Sequence, residues 1–380
     1  MTFTPYPRIR VSGNPAERGR QYGEQARMQV HAGRDGYERN FHSSGISWDQ
    51  AIRYSRRFAD PIAGAFPDVI AELEGIAAGA GLEFDDVLAM NCRTEIMWSQ
   101  VNQRLHGGPI PSECSSFGMM PSRTDSGHVW IGQNWDWLIH ASDSVVLLEV
   151  ERYDAPNYVS IVEAGLLAKS TLNSAGIGVA VNTLITSDDI ETGGIPFHVF
   201  LRLLADAETV FDAVELLASH QRASSAHYLV GSADGAVLSI ECEPGGVRGV
   251  HPVSPIDGLV THTNHFLRHT HGDDLAPLVM PDSYVRKQRL HELLEEATQA
   301  SIDSVNRALS DHADFPGSIC CHPDPRVEET ARWASISSMI MDLPERALYL
   351  WQGNPCAVPR QRIDFGALLQ PEPAQIRVIR

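Results

Sequence analysis

Apolar residues recur every three or four positions in the first part of the chain, up to about Arg104, and the pattern predicts a run of amphipathic helices. Asn14-Pro15-Ala16-Glu17 carries a helix start, because Asn can cap, Pro suits the first helical position and Glu can reach back to the cap. Ser47-Trp48-Asp49-Gln50 repeats that signal. A third helix follows Pro67, with Ile70, Leu73, Ile76 and Ala77 on one face and an end expected at Gly79 and Gly81. Phe84-Asp85-Asp86-Val87-Leu88-Ala89-Met90 opens a fourth. The pattern breaks between Gln103 and Ser112, where Leu105-His106-Gly107-Gly108-Pro109-Ile110-Pro111 cannot continue a helix and reads as an exposed, flexible connection.

Beyond it, alternation takes over. Strands are predicted over residues 116–120, 129–134, 145–151, 158–163 and 176–182, with a hairpin over 227–243 turned at Ala233-Asp234-Gly235. A late hairpin pairs 336–341 with 347–351 around Leu343-Pro344-Glu345-Arg346. Two helices interrupt the strands. One runs from about Pro196 to His220, with Val199, Leu203, Val210, Val214 and Leu217 on its apolar face, and the other from Asp282 to about Thr298. Strands clustered apart from helices predict an α+β layered fold over a doubly wound one. No internal repeat, low-complexity tract or Gly-rich phosphate loop is present in the sequence.

With 43% hydrophobic residues in 380, the chain can bury a sizeable core. Its 30 basic against 48 acidic residues give a net charge of −18, which argues against nucleic acid or an anionic membrane as a partner. Met1-Thr2-Phe3-Thr4-Pro5-Tyr6-Pro7-Arg8 lacks the basic and apolar parts of a secretory signal, and no apolar run is long enough to span a bilayer. Six cysteines in a long chain without such a signal read as reduced thiols, so a cytoplasmic location is expected.

Chemistry concentrates around Cys114, in Glu113-Cys114-Ser115-Ser116-Phe117-Gly118, which precedes a strand and turn carrying Gly132-Gln133-Asn134-Trp135-Asp136-Trp137. A Cys at the first position of a chain holds a thiol and an α-amine together, and that amine, with an ordinary pKa of about 7.7–8.0, can serve as base near neutral pH. Cleavage before Cys114 would create both groups at once. Asp136 should emerge at a strand end, where its carboxylate can hold the new ammonium, and Asn134 would order the turn. A second chemistry is open as well, because His262, His265, His269 and His271 cluster in sequence and Cys320-Cys321-His322 lies downstream, as a zinc hydrolase would need. Neither group has a spaced Cys pair or a His-Glu-x-x-His helix. Cys92, Cys242 and Cys356 read as small buried hydrophobes. Trp98, Trp135, Trp137, Phe197, Trp333 and Trp351 are available to wall an apolar acyl pocket or simply to fill the core.

One ordered set of motifs narrows this: Gly75-Ile76-Ala77-Ala78-Gly79-Ala80-Gly81, Asn91-Cys92-Arg93-Thr94-Glu95, Glu113-Cys114-Ser115-Ser116, Gly132 to Trp137, Glu163-Ala164-Gly165, Asn173-Ser174-Ala175-Gly176 and His262-Thr263-Asn264-His265. In this order it resembles the acyl-coenzyme A:6-aminopenicillanic acid acyltransferase family of N-terminal nucleophile hydrolases, from about Gly13 to about Trp351. The resemblance implies a four-layer αββα fold and self-cleavage between Glu113 and Cys114. It also implies a mainly helical chain of residues 1–113 that stays associated with a catalytic chain of residues 114–380. Glu113 stands where the fungal member has Gly.

Residue by residue, the resemblance makes Cys114 the nucleophile, Asp136 the partner of the freed amine, Asn264 the oxyanion donor and Arg332 a cationic support for the thiolate and anionic intermediates. It implies a cysteine amidohydrolase or acyltransferase working on a small-molecule amide or thioester through an acyl-thioester, with no resident cofactor or metal. An acyl-CoA-dependent N-acyltransferase, a zinc-dependent hydrolase and an unprocessed ligand-binding homologue are the alternatives.

Overall fold

Both predicted capping boxes form in the computed structural model, which describes residues 5–99, 113–190 and 193–370. Asn14 and Glu17 exchange side-chain and backbone hydrogen bonds at the start of the helix Pro15–Gln25, and Ser47 and Gln50 do the same for Trp48–Ser55. The helix after Pro67 runs to Ala80 and ends on Gly81, whose φ of 72° places it in the left-handed region. Gly79 therefore does not end the helix, and its lack of a Cβ serves packing. A Cβ there would fall 2.1 Å from the Arg20 carbonyl oxygen, and one on Gly19 would fall 2.1 Å from that of Glu72, so Pro15–Gln25 and Pro67–Ala80 touch backbone to backbone. The predicted connection over 103–112 lies outside the described residues.

Fourteen strands among the described residues form two sheets. The first contains β1 (Arg8–Val11), β4 (Val145–Val150), β5 (Tyr158–Glu163), β6 (Ser170–Asn173), β7 (Ile177–Thr183), β8 (Ala226–Ser232), β9 (Val237–Cys242) and β10 (Val250–Val253), in that order. The second has the order β11 (Leu259–His262), β2 (Glu113–Met119), β3 (Trp130–Leu138), β12 (Trp333–Asp342), β13 (Ala347–Trp351) and β14 (Gln361–Asp364). All neighbours are antiparallel except β1 and β4, which run parallel. Residues before Cys114 thus add a strand to a sheet built from residues after it.

The sheets meet face to face. A Cβ on Gly118 of β2 would strike Val237 and Leu229, and one on Gly178 or Gly231 would strike Ile131 of β3, so glycine sets the spacing at the centre. Gln133 of β3 accepts a hydrogen bond from the Val181 N–H of β7 across the gap. The N-terminal helices and the pair Phe197–Leu204 and Val210–Ser219 cover the outer face of the first sheet. Helices Ser283–Glu295 and Ile302–Leu309 cover the second, packing Leu290, Leu294, Val305 and Leu309 on Phe117, Met119, Trp130 and Trp351. These are the four layers, αββα.

Two expectations need correcting. The single helix over 196–220 is two, because Thr209 and Asp212 form a capping box that starts the second. The hexapeptide Gly132 to Trp137 contains no turn and lies wholly within β3. β3 is flanked by β2 and β12, so its backbone is paired on both sides, and the polar ends of Asn134 and Asp136 find partners inside the protein. With the Asn134 amide nitrogen and one Asp136 oxygen bonded in this way, polar residues can occupy a central strand.

Candidate active site

Cys114 sits in β2 opposite Trp135, with Glu113 opposite Asp136, so the predicted scissile bond is part of a sheet ladder. The residue is 3% exposed. Its N–H donates to Asn264 Oδ1 at 2.8 Å, and its carbonyl accepts from Asn182 Nδ2 and Arg286 Nη1, each at 3.0 Å. Arg286 Nη2 also donates to Asn264 Oδ1 at 3.0 Å, which closes a ring of polar groups around the Cys114 backbone.

Each partner comes from a different element. Asn264 follows β11, Asn182 lies near the end of β7 in the facing sheet, and Arg286 projects from the helix Ser283–Glu295, braced by Asp282 four residues earlier. The Asn182 amide is oriented by its own neighbours, since Oδ1 receives hydrogen bonds from the Ser116 hydroxyl and from His227 Nδ1, leaving Nδ2 to face Cys114. Asn264 Nδ2 is held by the Thr183 carbonyl at 3.0 Å. Asn264 thus presents its oxygen to the Cys114 nitrogen.

Asp136 is fully buried. Its Oδ1 accepts from the Ser335 hydroxyl at 2.5 Å, and its Oδ2 has no hydrogen-bond partner among the described residues. Burial pushes the carboxyl up to about 7, against the Ser335 hydrogen bond and the Arg286 charge, which favour ionisation. The Cys114 thiol is pushed up to about 11, chiefly by burial, while Lys169 and Arg286 pull it down. Lys169 lies just before β6 with its Nζ 4.4 Å from the Trp135 ring centroid and 5.4 Å from that of Trp137. Burial, then the charge of Arg93, bring its amine down to about 8.

Of the residues singled out by sequence, Cys114, Asp136 and Asn264 come together. Arg332 does not join them. Its Nε donates to the Val327 carbonyl at 2.8 Å and its Nη2 faces Pro325, so the guanidinium is held in its own loop before β12. Arg286 is the arginine that reaches Cys114. Sequence reasoning missed it, along with Lys169 and Asn182. A lysine inside the apolar stretch between Gly165 and Leu172, and an amide closing the apolar run of β7, were the available signals.

The four clustered histidines do not converge. His262 bonds Glu241 and stacks on His227 with centroids 3.6 Å apart, His265 bonds Ser283, and His271 bonds Glu243. Trp351 belongs to the core beneath the second helical layer, away from the inter-sheet face that holds Cys114. Cys92 and Cys242 are buried as expected, but Cys356 is exposed, because it sits on the turn between β13 and β14.

Comparison with known proteins adds the following. The model of the family described as acyl-coenzyme A:6-aminopenicillanic acid acyl-transferase matches residues 122–356. The acyl-coenzyme A:6-aminopenicillanic-acid-acyltransferase 40 kDa form of Emericella nidulans is 26% identical over 352 residues, 91% of this chain and 92% of that protein. Among solved structures, a mutant of the conjugated bile acid hydrolase from Clostridium perfringens aligns with a TM-score of 0.44 at 12% identity, over 69% of this chain and 99% of that one. Penicillin V acylase from Agrobacterium tumefaciens gives 0.41 at 13%, over 68% and 88%.

Proposed function

Since this chain belongs to the acyl-coenzyme A:6-aminopenicillanic acid acyl-transferase family, we propose that it is a self-processing cysteine enzyme acting on C–N amide bonds, with Cys114 as its latent N-terminal nucleophile. The observation that carries the reading is the hold on the Cys114 nitrogen, which Asn264 Oδ1 grips at 2.8 Å on a buried strand whose neighbour β3 carries the buried carboxyl of Asp136 opposite Glu113.

In maturation the Cys114 thiol adds to the Glu113 carbonyl carbon, the C–N bond breaks, and the acyl group of Glu113 passes to sulfur while the nitrogen leaves as the α-amine. Water then hydrolyses that thioester. Residues 1–113 end in a new carboxylate, and Cys114 regains its thiol as the first residue of the second chain. The two chains stay together because β1 is hydrogen-bonded to β4 and one core spans both.

In turnover the freed amine takes the thiol proton, the thiolate attacks the substrate carbonyl carbon, and the amine returns a proton to the departing nitrogen. Asn264 Oδ1 and Asp136 Oδ2 are the acceptors available to orient that amine. Asn182 Nδ2 and Arg286 offer donors beside Cys114, and Asn264 can join them as an oxyanion donor only by exchanging its bond to Thr183. The acyl-thioester is released to water or to an amine. The Emericella relative favours transfer from an acyl-coenzyme A as a second reading.

The test is intact mass under denaturing conditions for wild type and Cys114→Ala. Two species joined at Glu113/Cys114 in the wild type, with an uncut variant inactive on amide and thioester substrates, are expected. A wild type that stays whole, or a Cys114→Ala variant that still turns over, would overturn the proposal.

A further inference from the structure

Away from Cys114, four soft donors from two loops meet at one point. His312 Nε2 lies 3.0 Å from His322 Nε2, and that nitrogen lies 3.5 Å from Cys320 Sγ and 3.4 Å from Cys356 Sγ. The two sulfurs are 3.6 Å apart, and all four donor atoms fall within 4.8 Å of one another. We propose that His312, Cys320, His322 and Cys356 form a structural zinc site.

Four of the six donor separations, those among His322, Cys320 and Cys356 and that between the two imidazoles, are close to the edges of a coordination tetrahedron. Zinc bonds of about 2.3 Å to sulfur and about 2.0–2.1 Å to nitrogen require edges of about 3.8 Å between sulfurs, about 3.5 Å between sulfur and nitrogen, and about 3.3 Å between nitrogens. The observed separations follow that order, from 3.6 Å between sulfurs to 3.0 Å between nitrogens. A disulfide does not account for them, since it would hold the sulfurs at about 2.05 Å and leave both imidazoles without a reason to converge. Two thiolates and two imidazoles with no carboxylate form the donor set zinc prefers, and one that magnesium and calcium do not.

The surroundings fit as well. Asn354 Nδ2 lies 3.4 Å from Cys320 Sγ and donates to the Cys321 carbonyl at 2.6 Å, so a neutral donor steadies the thiolate from outside the ligand shell. Three ligands lie on the segment after the helix Ile302–Leu309, and Cys356 lies on the turn between β13 and β14, so the ion would join two loops that lack regular pairing.

That cross-link leads to the candidate active site. Cys321, next to the ligand Cys320, accepts a hydrogen bond from the Ser335 N–H and donates its own N–H to the Ser335 hydroxyl, which in turn donates to Asp136. Asn134, two residues before Asp136 on β3, donates to the Ile319 and Leu309 carbonyls at 2.7 and 2.8 Å. With four protein ligands the site has no open position, so its role is to position Asp136 rather than to activate water.

Zinc in the full chain, purified under reducing conditions without chelators, is measured by mass spectrometry of the metal. About one equivalent is expected in wild type and equally in Cys114→Ala, so the outcome does not depend on the nucleophile reading. Cys356→Ser, a change at an exposed ligand, and His322→Ala should each lose most of the metal. Stripping the wild type should lower its Tm, with recovery on adding zinc but not magnesium, and cobalt should give the visible absorption of a tetrahedral thiolate site. A wild type that retains no zinc after incubation with zinc and desalting would overturn the proposal. So would full retention by Cys356→Ser, or a fresh protein whose mass is lower by two hydrogens through a Cys320–Cys356 disulfide.

Discussion

Replacing Asp136 by Asn in a chain that cannot cleave itself should remove a pH dependence from its stability. In the uncut protein the carboxyl is buried with one oxygen unpartnered among the described residues, and its pKa is raised to about 7. Unfolded, it returns to about 3.9. Between those values the folded state holds the proton and the unfolded state does not, so stability is full below about pH 4, falls as pH rises through the window, and levels off above about 7. Each pH unit in the window is worth about 1.4 kcal/mol, and from pH 5 to pH 8 the loss sums to about 2.5 kcal/mol. Asn has nearly the shape of the neutral acid and no charge to desolvate. Urea unfolding of Cys114→Ala and of Cys114→Ala with Asp136→Asn, at both pH values, isolates the effect in the difference of differences. Asp136→Asn should gain about 2.5 kcal/mol on its parent between pH 5 and pH 8. A difference between the variants that does not change with pH would refute the raised carboxyl and the burial argument behind it.

Lys169→Met should keep or raise Tm, because it removes a buried ammonium that forms no carboxylate ion pair among the described residues. It should also slow processing or turnover by roughly tenfold, since each unit added to the thiol pKa costs a factor of ten in thiolate, and unchanged rates would exclude that role. Gly79→Ala should cost about 1–3 kcal/mol or more in urea unfolding, because the new Cβ meets the Arg20 and Glu24 backbone at 2.1 and 2.8 Å. Gly64→Ala, in the helix Ala59–Ala65 with nothing within 4 Å of its Cβ site, should instead stabilise by about 0.5–1 kcal/mol. Equal effects at the two glycines would mean that the close helix contact is not what matters.

Apart from the four layers and the trio Cys114, Asp136 and Asn264, which the family resemblance supplied, what was legible in the sequence was local. A capping box needs only four residues, so Asn14 to Glu17 and Ser47 to Gln50 could be read directly, and Thr209 with Asp212 could have split the long helix by the same rule. The error in β3 has the opposite cause. Asn134 and Asp136 look like turn residues until strands on both sides and carbonyls from a distant loop supply their partners. Arg286 was hidden similarly, since with Asp282 four residues before it the chain reads as an ordinary helical ion pair, and only the packing of that helix over β2 brings it to Cys114. His312 and Cys356 could not be joined to Cys320 and His322 from spacing, because the turn between β13 and β14 closes that distance in three dimensions.

The same contacts explain why the uncut chain can tolerate so polar a centre. Arg286 and Lys169 bring positive charge to the buried Cys114, and Asp136, as a neutral acid at or below neutral pH, adds no full negative charge that would have to be desolvated. The proposed cleavage would change that balance at one atom, the Cys114 nitrogen, turning it from an amide that can only donate one hydrogen bond into an amine that can bind a proton. An ammonium beside Asp136 would favour the carboxylate, so the carboxyl pKa should fall well below 7 and the amine pKa should rise in response. On this reasoning the proton stored on Asp136 can pass to the new amine at rest, and the amine takes the thiol proton in turnover only from its neutral form. The processed enzyme should then lose the destabilisation that its precursor shows between pH 5 and pH 8, which the same urea series on cleaved wild type and uncut Cys114→Ala would reveal as two different pH slopes.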